Sequence, residues 1–231
     1  MDDAALNGQA WTAYGKHHLE RGTHLPEPER LDWGFWDTGP GAEVLGDLAG
    51  KRVLDIGPGT GRYPAYLART HEAVVDAVEA SPTQYLRATA RYGDVPGVGF
   101  VQAEAVEFLR RETTAVYDVV YSVHGLGYID PHRLLDAPAP RVREGGSLIF
   151  SVLHTNSDGA GPEVTLAPRD EILPLADGGD MAVRMWVLSP LLWEDLLVEA
   201  GFLVVHISVL RAPKPGNPVA CTLITARRQR K

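Results

Sequence analysis

The chain has 231 residues, of which 45% are hydrophobic and 23% are charged, proportions that are ordinary for a soluble globular protein. This length suits one domain with a sizeable core, or a core domain with a small lid. A formal net charge of −8 argues against nucleic acid as the principal partner, because nucleic-acid binders gain affinity by neutralising phosphates. No apolar run is long enough to span a bilayer, so no membrane partner is expected.

The N-terminus and the cysteine content predict a cytoplasmic protein. Residues 1–3 include two aspartates, and the apolar stretch of a secretory signal peptide does not follow them. Cys221 is the only cysteine, which excludes an internal disulfide, and its apolar neighbours indicate an unreactive core thiol. Nothing in the sequence separates a monomer from a homodimer.

Residues 1–41 are predicted to form a helical and aromatic lid. Apolar side chains at roughly helical spacing predict a helix over 4–20. The following stretch, 22–40, contains prolines and three aromatic rings within the four residues 33–36. These rings could pack in the core or contact a ligand, and the sequence leaves both interpretations open.

The main domain is expected over 42–226, where strands and helices alternate after a short helix at 42–48. Apolar, branched residues predict strands at 53–56, 73–79, 98–102, 117–123 and 147–153. Helices are predicted between them at 62–69, from Ser81 to Gly93, around 106–109, and after Asp130, where Pro138 and Pro140 should keep the helix short or broken. This alternation requires a parallel sheet with helices on both faces.

The C-terminal part is predicted to close the sheet. Residues 156–180 are rich in Gly, Pro and Asp and are expected to form a long loop, followed by an extended segment at 181–188 and a helix that begins after Ser189. Two last strands, at 203–210 and 219–225, are joined by a turn too short for a crossover helix, so they must be antiparallel. Basic residues 227–231 are expected to be a solvated tail.

A glycine-rich turn directly after the first predicted strand points to a ligand. The apolar run contains Asp55, and three glycines follow at alternate positions in the order Gly57-Pro58-Gly59-Thr60-Gly61. Glycines let the backbone turn tightly and bring its N–H groups close to a ligand. The helix expected from Arg62 would point its positive end into the same space.

This turn differs from the dinucleotide-binding fingerprint, which requires a glycine at the position of Arg62. Asp55 to Gly61 instead resembles motif I of the class I methyltransferases, which bind S-adenosylmethionine, and the resemblance runs over about 51–226. It implies an α/β fold with a Rossmann-like seven-stranded sheet that is mostly parallel with one antiparallel strand, with helices on both faces and an N-terminal helical lid.

The resemblance also implies S-adenosylmethionine as the cofactor and S-adenosylhomocysteine as the product. By the same resemblance, the glycine loop holds the methionine moiety, Glu79 at the end of the second strand holds the ribose, and Glu104 approaches the adenine, although aspartate is more usual at that position. The residues expected to contact the cofactor are Asp55, Gly57, Pro58, Gly59, Gly61, Glu79, Ala80, Glu104, Ala105 and Ser122.

Histidines near the expected ligand edge are candidates for removing a proton from the acceptor. Methyl transfer depends mostly on alignment and exclusion of water, but a hydroxyl acceptor must also lose its proton. His124 and His154 directly follow strands at that edge and are the candidate catalytic bases, ahead of His17 and His18 on the lid. No metal site is predicted, because the spacing of His154 and Asp158 is weak evidence for one.

Aromatic side chains in the N-terminal segment are typical of a wall for a flat apolar acceptor, and they could also stack on a cation. Trp11 and Tyr14 lie on the predicted first helix, and the tryptophans of 33–36 follow it. The residues expected to contact the acceptor are Tyr14, His18, Trp33, Trp36, His124 and His154.

The sequence therefore predicts an S-adenosylmethionine-dependent methyltransferase that acts on a small molecule, with O-methylation slightly favoured over N- or C-methylation. Two alternatives stay open. One is a non-catalytic protein that binds the cofactor. The other is a nicotinamide-dependent oxidoreductase, which fits less well because Arg62 replaces the third glycine and no Tyr-x-x-x-Lys pair lies on a predicted helix.

Overall fold

In a computed structural model of the protein, the described residues are 3–111, 116–136, 141–175 and 179–230. Nine strands are described: β1 (Arg52–Ile56), β2 (Val74–Glu79), β3 (Val98–Gln102), β4 (Tyr117–Val123), β5 (Val142–Thr155), β6 (Arg169–Pro174), β7 (Asp180–Met185), β8 (Phe202–Arg211) and β9 (Ala220–Arg228). The described residues also contain six α-helices: α1 (Asp3–Glu20), α2 (Arg62–His71), α3 (Pro82–Tyr92), α4 (Ala105–Arg110), α5 (Pro131–Asp136) and α6 (Pro190–Glu199).

Seven of the strands form one sheet in the order β3-β2-β1-β4-β5-β9-β8. Strand β9 runs antiparallel to both of its neighbours, and the other pairs are parallel. The predicted fold class, a mostly parallel Rossmann-like sheet with one antiparallel strand, is confirmed. The chain reverses direction across the sheet between β1 and β4, and in doubly wound sheets a ligand binds at this switch point.

Local sequence signals explain where the helices near this switch point begin. The Ser81 hydroxyl accepts a hydrogen bond from the Gln84 N–H at 3.3 Å, and Pro82 occupies the first helical position, as the sequence predicts for α3. Gly61 adopts a left-handed φ of +76° at the start of α2. These starts fix both helices at the carboxyl edge of the sheet.

The structure differs from the predicted elements in the C-terminal half. Residues expected as part of a loop form β6, which pairs antiparallel with β7 and places Leu173 opposite Met181. Charged residues at the start of β6 interrupt its apolar pattern, so the sequence of β6 alone does not predict a strand. The pairing with β7 determines its extended structure. Strand β5 begins at Val142, earlier than expected, and the short helix before β1 is a 3₁₀ turn, Ala42–Leu45.

Two further predictions fall near the edges of the described residues. Strand β9 continues through Arg227 and Arg228, and the Arg228 guanidinium donates to the Ala200 carbonyl at 2.7 Å, so these two residues extend the sheet and do not begin a frayed tail. Helix α5 ends at Asp136, and Pro138 and Pro140 lie outside the described residues.

One buried asparagine attaches the N-terminal helix to the rest of the molecule. Asn7 is 4% exposed, and its amide donates to the carbonyls of Tyr128 at 3.0 Å and Arg184 at 2.8 Å. Its side-chain oxygen accepts from the Arg184 N–H at 2.9 Å. Because these bonds satisfy both ends of a buried amide, α1 has one fixed position against the 3₁₀ turn that ends at Tyr128 and against the β6–β7 hairpin.

Gly61 tests how tightly the glycine loop packs. A Cβ at this position would lie 2.8 Å from Ala88 on α3 and 2.8 Å from the Phe100 ring on β3. Gly22 has a similar φ of +61°, but a Cβ there would meet nothing within 4 Å. We expect Gly61→Ala to lower the free energy of unfolding by about 1–3 kcal/mol more than Gly22→Ala, because both carry backbone strain but only the first overpacks a core contact. Urea unfolding of the two variants measures the difference, and equal losses would contradict it.

Candidate active site

A cavity of about 810 Å³ opens at the carboxyl edge of the sheet. Its lining includes the glycine loop after β1, the ends of β2 and β4, and the residues just after β3. Helix α1, the segment before β1 and the β6–β7 hairpin supply its other walls. The cavity therefore lies at the switch point of the sheet, where the sequence predicts the ligand.

The glycine loop is held in a left-handed backbone conformation at alternate positions. Gly57 has φ +75°, and a Cβ there would lie 3.2 Å from the Cα of Gly125. Gly59 has φ +57°, and a Cβ there would meet nothing within 4 Å, because Gly59 borders the cavity. Both glycines are required by their φ angles, and at Gly59 the lack of a side chain leaves the backbone accessible to a ligand.

The Glu79 side chain holds the glycine loop in place through hydrogen bonds. The carboxylate accepts a hydrogen bond from the Gly59 N–H at 2.9 Å and another from the Ser81 N–H at 2.8 Å. Burial raises the pKa of Glu79 to about 7, although these backbone hydrogen bonds oppose the shift. The side chain joins the loop to the start of α3 and also lines the cavity.

Asp55 lies beside it at the end of β1. The Tyr121 hydroxyl donates to the Asp55 carboxylate at 2.6 Å, and both residues are buried. Burial, together with the nearby negative charge of Glu79, raises the pKa of Asp55 to about 8, although the hydrogen bond from Tyr121 opposes the shift. The cavity thus has two carboxyl groups for which the neutral form is unusually favourable.

Glu104 plays a structural part as well as lining the cavity. The carboxylate caps α4 by accepting from the Glu107 N–H at 2.9 Å, and the Arg133 guanidinium lies 4.0 Å away. A capping side chain of this kind stabilises a helix start. One carboxylate oxygen of Glu104 is therefore used within the protein.

The structure brings most of the predicted cofactor residues to one surface. Ser122 is an exception, because it is fully buried, its hydroxyl donates to the Ile56 carbonyl at 2.6 Å and it lies outside the described cavity lining; its contact with the cofactor stays a prediction. Gly61 packs against α3 and β3 and lies outside the cavity lining, so it supports the loop without facing the ligand. The residues that do line the cavity are Asp55, Gly57, Pro58, Gly59, Glu79, Ala80, Glu104 and Ala105.

The predicted acceptor residues of the N-terminal segment divide into two groups. Tyr14 and Trp36 line the cavity. Trp33 is fully buried in the core, donates from its indole nitrogen to the Gly41 carbonyl at 3.0 Å and lies outside the described cavity lining, and its contact with the acceptor stays a prediction. His18 packs against the Tyr14 ring with centroids 4.4 Å apart, outside the described cavity lining.

His124 reaches the cavity, but its ring is already occupied. Its Nε2 donates to the Gly34 carbonyl at 3.0 Å, its Nδ1 lies 4.0 Å from the Cys221 sulfur, and its ring stacks on Phe35 at 4.7 Å. Burial lowers the pKa of His124, which favours the neutral ring that this arrangement requires. Burial also raises the pKa of the Cys221 thiol to about 12, so the sulfur stays protonated.

His154 lies away from the cavity. It is half-buried on β5, and its Nδ1 is 2.9 Å from the Thr222 hydroxyl on β9. The described cavity lining includes its neighbours Leu153 and Asn156 but not His154 itself. Its side chain faces the neighbouring strand β9, and its contact with the acceptor stays a prediction.

Sequence reasoning missed the contribution of the 3₁₀ turn after β4 and of the β6–β7 hairpin to the cavity. Tyr128, in the 3₁₀ turn after β4, lines the cavity, as do Glu171 and Leu173 on β6 and Met181 and Met185 on β7. Only the apolar residues of the extended segment 181–188 gave a signal in the sequence. The pairing that brings β6 over the cavity could not be inferred from its own residues.

A family model described as a methyltransferase domain matches residues 40–207 of this chain. The chain belongs to the methyltransferase family. The predicted resemblance to class I S-adenosylmethionine-dependent methyltransferases, and with it the cofactor, is confirmed by this match together with the sheet order.

Curated relatives of this methyltransferase carry related names. The ubiquinone biosynthesis O-methyltransferase of Acinetobacter baylyi is 32% identical over 155 residues, which are 66% of this chain and 60% of that protein. The O-methyltransferase resE of Aspergillus sclerotiorum is 25% identical over 171 residues, 72% of this chain and 60% of that protein. The matched part of the chain therefore spans less than two thirds of the length of these relatives.

Solved structures share the fold of the methyltransferase. An S-adenosylmethionine-dependent methyltransferase from Mesorhizobium loti aligns with a TM-score of 0.58 and 20% identity, over 80% of this chain and 94% of that one. The 1,6-didemethyltoxoflavin-N1-methyltransferase of Burkholderia thailandensis, solved with 1,6-didemethyltoxoflavin and S-adenosylhomocysteine bound, aligns with a TM-score of 0.52 and 19% identity, over 99% of this chain and 82% of that one.

The cavity of the methyltransferase fits its cofactor. The backbone at Gly59 is accessible to a ligand, and the buried carboxyl groups of Asp55 and Glu79 supply oxygen acceptors on the same wall. The volume of about 810 Å³ lies in the upper part of the roughly 300–1,000 Å³ range of ligand pockets. Among the described residues, no three His, Cys, Asp or Glu side chains group as metal ligands would, and no helix is long and apolar enough to cross a membrane.

The raised pKa of Asp55 predicts how the stability of the methyltransferase depends on pH. The pKa of Asp55 is about 8 in the folded protein and lower in the unfolded chain, so folding is favoured most at low pH, where the carboxyl group is protonated in both states. The free energy of unfolding therefore falls as the pH rises from the unfolded pKa to the folded pKa. Asp55→Asn keeps an oxygen acceptor for Tyr121 and removes the ionisation. We expect the wild type to lose at least about 1 kcal/mol more than Asp55→Asn between about pH 5 and pH 8 in urea unfolding.

Asp94→Asn is the matched control, because Asp94 is an exposed aspartate in the turn after α3. This variant should follow the pH dependence of the wild type. An unchanged dependence in Asp55→Asn would show that Asp55 is ionised in the folded protein throughout this range.

Proposed function

We propose that this protein transfers a methyl group from S-adenosylmethionine to an oxygen atom of a small-molecule acceptor. The observation that carries the proposal is that one continuous cavity joins the glycine loop to a second region between α1 and the β6–β7 hairpin. A cofactor bound at the glycine loop leaves this second region free for another molecule. A non-catalytic cofactor-binding protein has no need of such a region.

Residues at the carboxyl ends of β1, β2 and β3 would hold successive parts of the cofactor. The loop backbone at Gly57 and Gly59 would meet the methionine moiety, the Glu79 carboxylate would accept the ribose hydroxyls, and Glu104 and Ala105 would border the adenine. The bound cofactor would supply a methyl group on a positively charged sulfur, and its transfer to the acceptor oxygen would leave the electron pair of the broken carbon–sulfur bond on sulfur. The acceptor hydroxyl releases its proton to water.

Oxygen is favoured as the acceptor atom by the names of the relatives. The matching proteins of Acinetobacter baylyi and Aspergillus sclerotiorum are both named O-methyltransferases. The motif typical of methylation at a planar nitrogen, Asn or Asp followed by Pro-Pro-Tyr, is not found at the end of β4, where the chain reads Tyr121-Ser122-Val123-His124. The cytoplasmic location and the choice between monomer and homodimer stay predictions.

Ligand binding tests the cofactor assignment through Glu79. Replacing it with Gln retains the shape but removes the charge and one of the two oxygens that accept from Gly59 and Ser81. A charge-assisted hydrogen bond contributes about 1.5–3 kcal/mol, so we expect Glu79→Gln to weaken S-adenosylhomocysteine binding at least about tenfold in calorimetry at about pH 8, above the Glu79 pKa of about 7. Glu107→Gln, an exposed glutamate on α4, should bind as the wild type does. Binding of NAD in place of S-adenosylhomocysteine by the wild type would overturn the proposal.

We further propose that His124 positions the residues before β1 and is not the general base. Both of its ring nitrogens have partners within the protein, and its stacking on Phe35 connects the end of β4 to a segment that lines the cavity. Its φ of +62° is unusual for a residue with a side chain, which indicates that the surrounding contacts determine its position.

A pH–rate profile separates these two roles of His124. A general base contributes about a hundred- to ten-thousand-fold in rate, and its removal abolishes the limb near the histidine pKa. For a positioning residue we expect His124→Ala to lower kcat/KM by about tenfold while the shape of the profile stays that of the wild type. His154→Ala, outside the cavity, is the control and should keep the wild-type rate. Loss of the limb in His124→Ala would make His124 the base.

A further inference from the structure

The part of the cavity that lies between α1 and the β6–β7 hairpin has walls of its own, which we name the acceptor chamber. These walls are contributed by separate parts of the chain: one helix, one 3₁₀ turn, the end of β5 and both strands of the hairpin. The apolar side chains of the acceptor chamber are Trp11, Tyr128, Leu153, Leu173, Met181 and Met185.

Aromatic rings in the acceptor chamber are held in fixed relative positions. The Trp11 ring lies 5.4 Å from the Tyr128 ring at an interplanar angle of 84° and 5.4 Å from the Tyr14 ring at 81°. Edge-to-face contacts of this kind stabilise ring positions and leave ring surface for a flat partner. Met181 and Met185 add flexible, polarisable side chains that adapt to the outline of an apolar ligand.

The charges at the acceptor chamber are already compensated within the protein. Glu171 is 4% exposed, accepts from the Arg169 guanidinium at 2.6 Å and accepts from the Asn156 amide at 3.0 Å. Asp3, the other carboxylate that α1 and the hairpin contribute to the cavity lining, lies 3.5 Å from the Arg184 guanidinium. A charged acceptor would lose its hydration there and meet no unpaired counter-ion among the described residues of α1 or of the hairpin, which is costly.

From these observations we infer that the acceptor chamber binds a neutral, planar aromatic compound that carries a hydroxyl group. The aromatic and methionine walls favour a flat apolar ring system, and the paired carboxylates select against ammonium and carboxylate groups. The inference rests on the proposed O-methyl transfer for the hydroxyl group, whereas the neutral and planar character follows from the chamber walls alone.

Four probes of nearly equal size test the inference by binding to the protein saturated with S-adenosylhomocysteine. They are 6-methyl-2-naphthol, its cationic aminomethyl analogue, its anionic carboxylate analogue and the non-planar decahydro-2-naphthol. In calorimetry we expect the neutral naphthol to bind at least about tenfold more tightly than each of the other three, because unpaired charges and lost ring contacts each cost at least that factor. Equal or tighter binding of a charged or non-planar probe, or no binding of the naphthol, would overturn the inference.

Two variants place the binding in the acceptor chamber. Leu173→Trp should fill it and weaken naphthol binding at least about tenfold, since even one methylene of misfit can cost that factor. Ala182→Trp adds the same side chain to an exposed position on the same hairpin and should bind as the wild type does. Trp11→Leu offers a second test, because it removes ring surface without adding bulk, and it should reduce the preference for the planar over the decahydro probe.

Binding of S-adenosylhomocysteine in the absence of any probe separates failure of this inference from failure of the proposed function. If the wild type does not bind S-adenosylhomocysteine, the proposed function is wrong. If it binds S-adenosylhomocysteine and Leu173→Trp still binds the naphthol normally, the cofactor assignment stands and the acceptor chamber is wrongly placed.

Discussion

The Glu79 carboxylate organises the glycine edge of this methyltransferase. One oxygen holds the Gly59 N–H and the other holds the Ser81 N–H, so a single side chain fixes both the loop after β1 and the start of α3. The group is buried, and burial raises its pKa to about 7. A loop fixed in this way before a ligand arrives loses little conformational entropy on binding, which is the physical advantage of a preorganised site.

The two halves of the cavity have different structural origins. The cofactor side is built from strand ends within the region that matches the family model, residues 40–207. The acceptor side depends on α1, which lies outside that region, and on a hairpin that is not part of the seven-stranded sheet. A common sheet can therefore bind one cofactor while the segments packed on it select the acceptor.

The sequence was sufficient to predict the sheet and the cofactor edge because both depend on local patterns. Branched apolar runs, a glycine-rich turn and Glu79 at a strand end each have meaning within a few residues. Trp33 lies in the core and His154 lies against β9 because of tertiary contacts. The residues next to them in the sequence do not reveal these contacts. The same holds for β6, which is specified by its pairing with β7, and for Ser122, whose hydroxyl is used by the β1 backbone.

The contacts of Asn7 have a consequence for how the protein is synthesised. Its partners, the backbone groups of Tyr128 and Arg184, lie 121 and 177 residues further along the chain. During synthesis, helix α1 therefore leaves the ribosome well before its anchoring partner on β7, which emerges 177 residues later. Because helices in proteins owe most of their stability to packing, α1 reaches its final place only after β7 has been made, and the cavity between α1 and the β6–β7 hairpin forms only then.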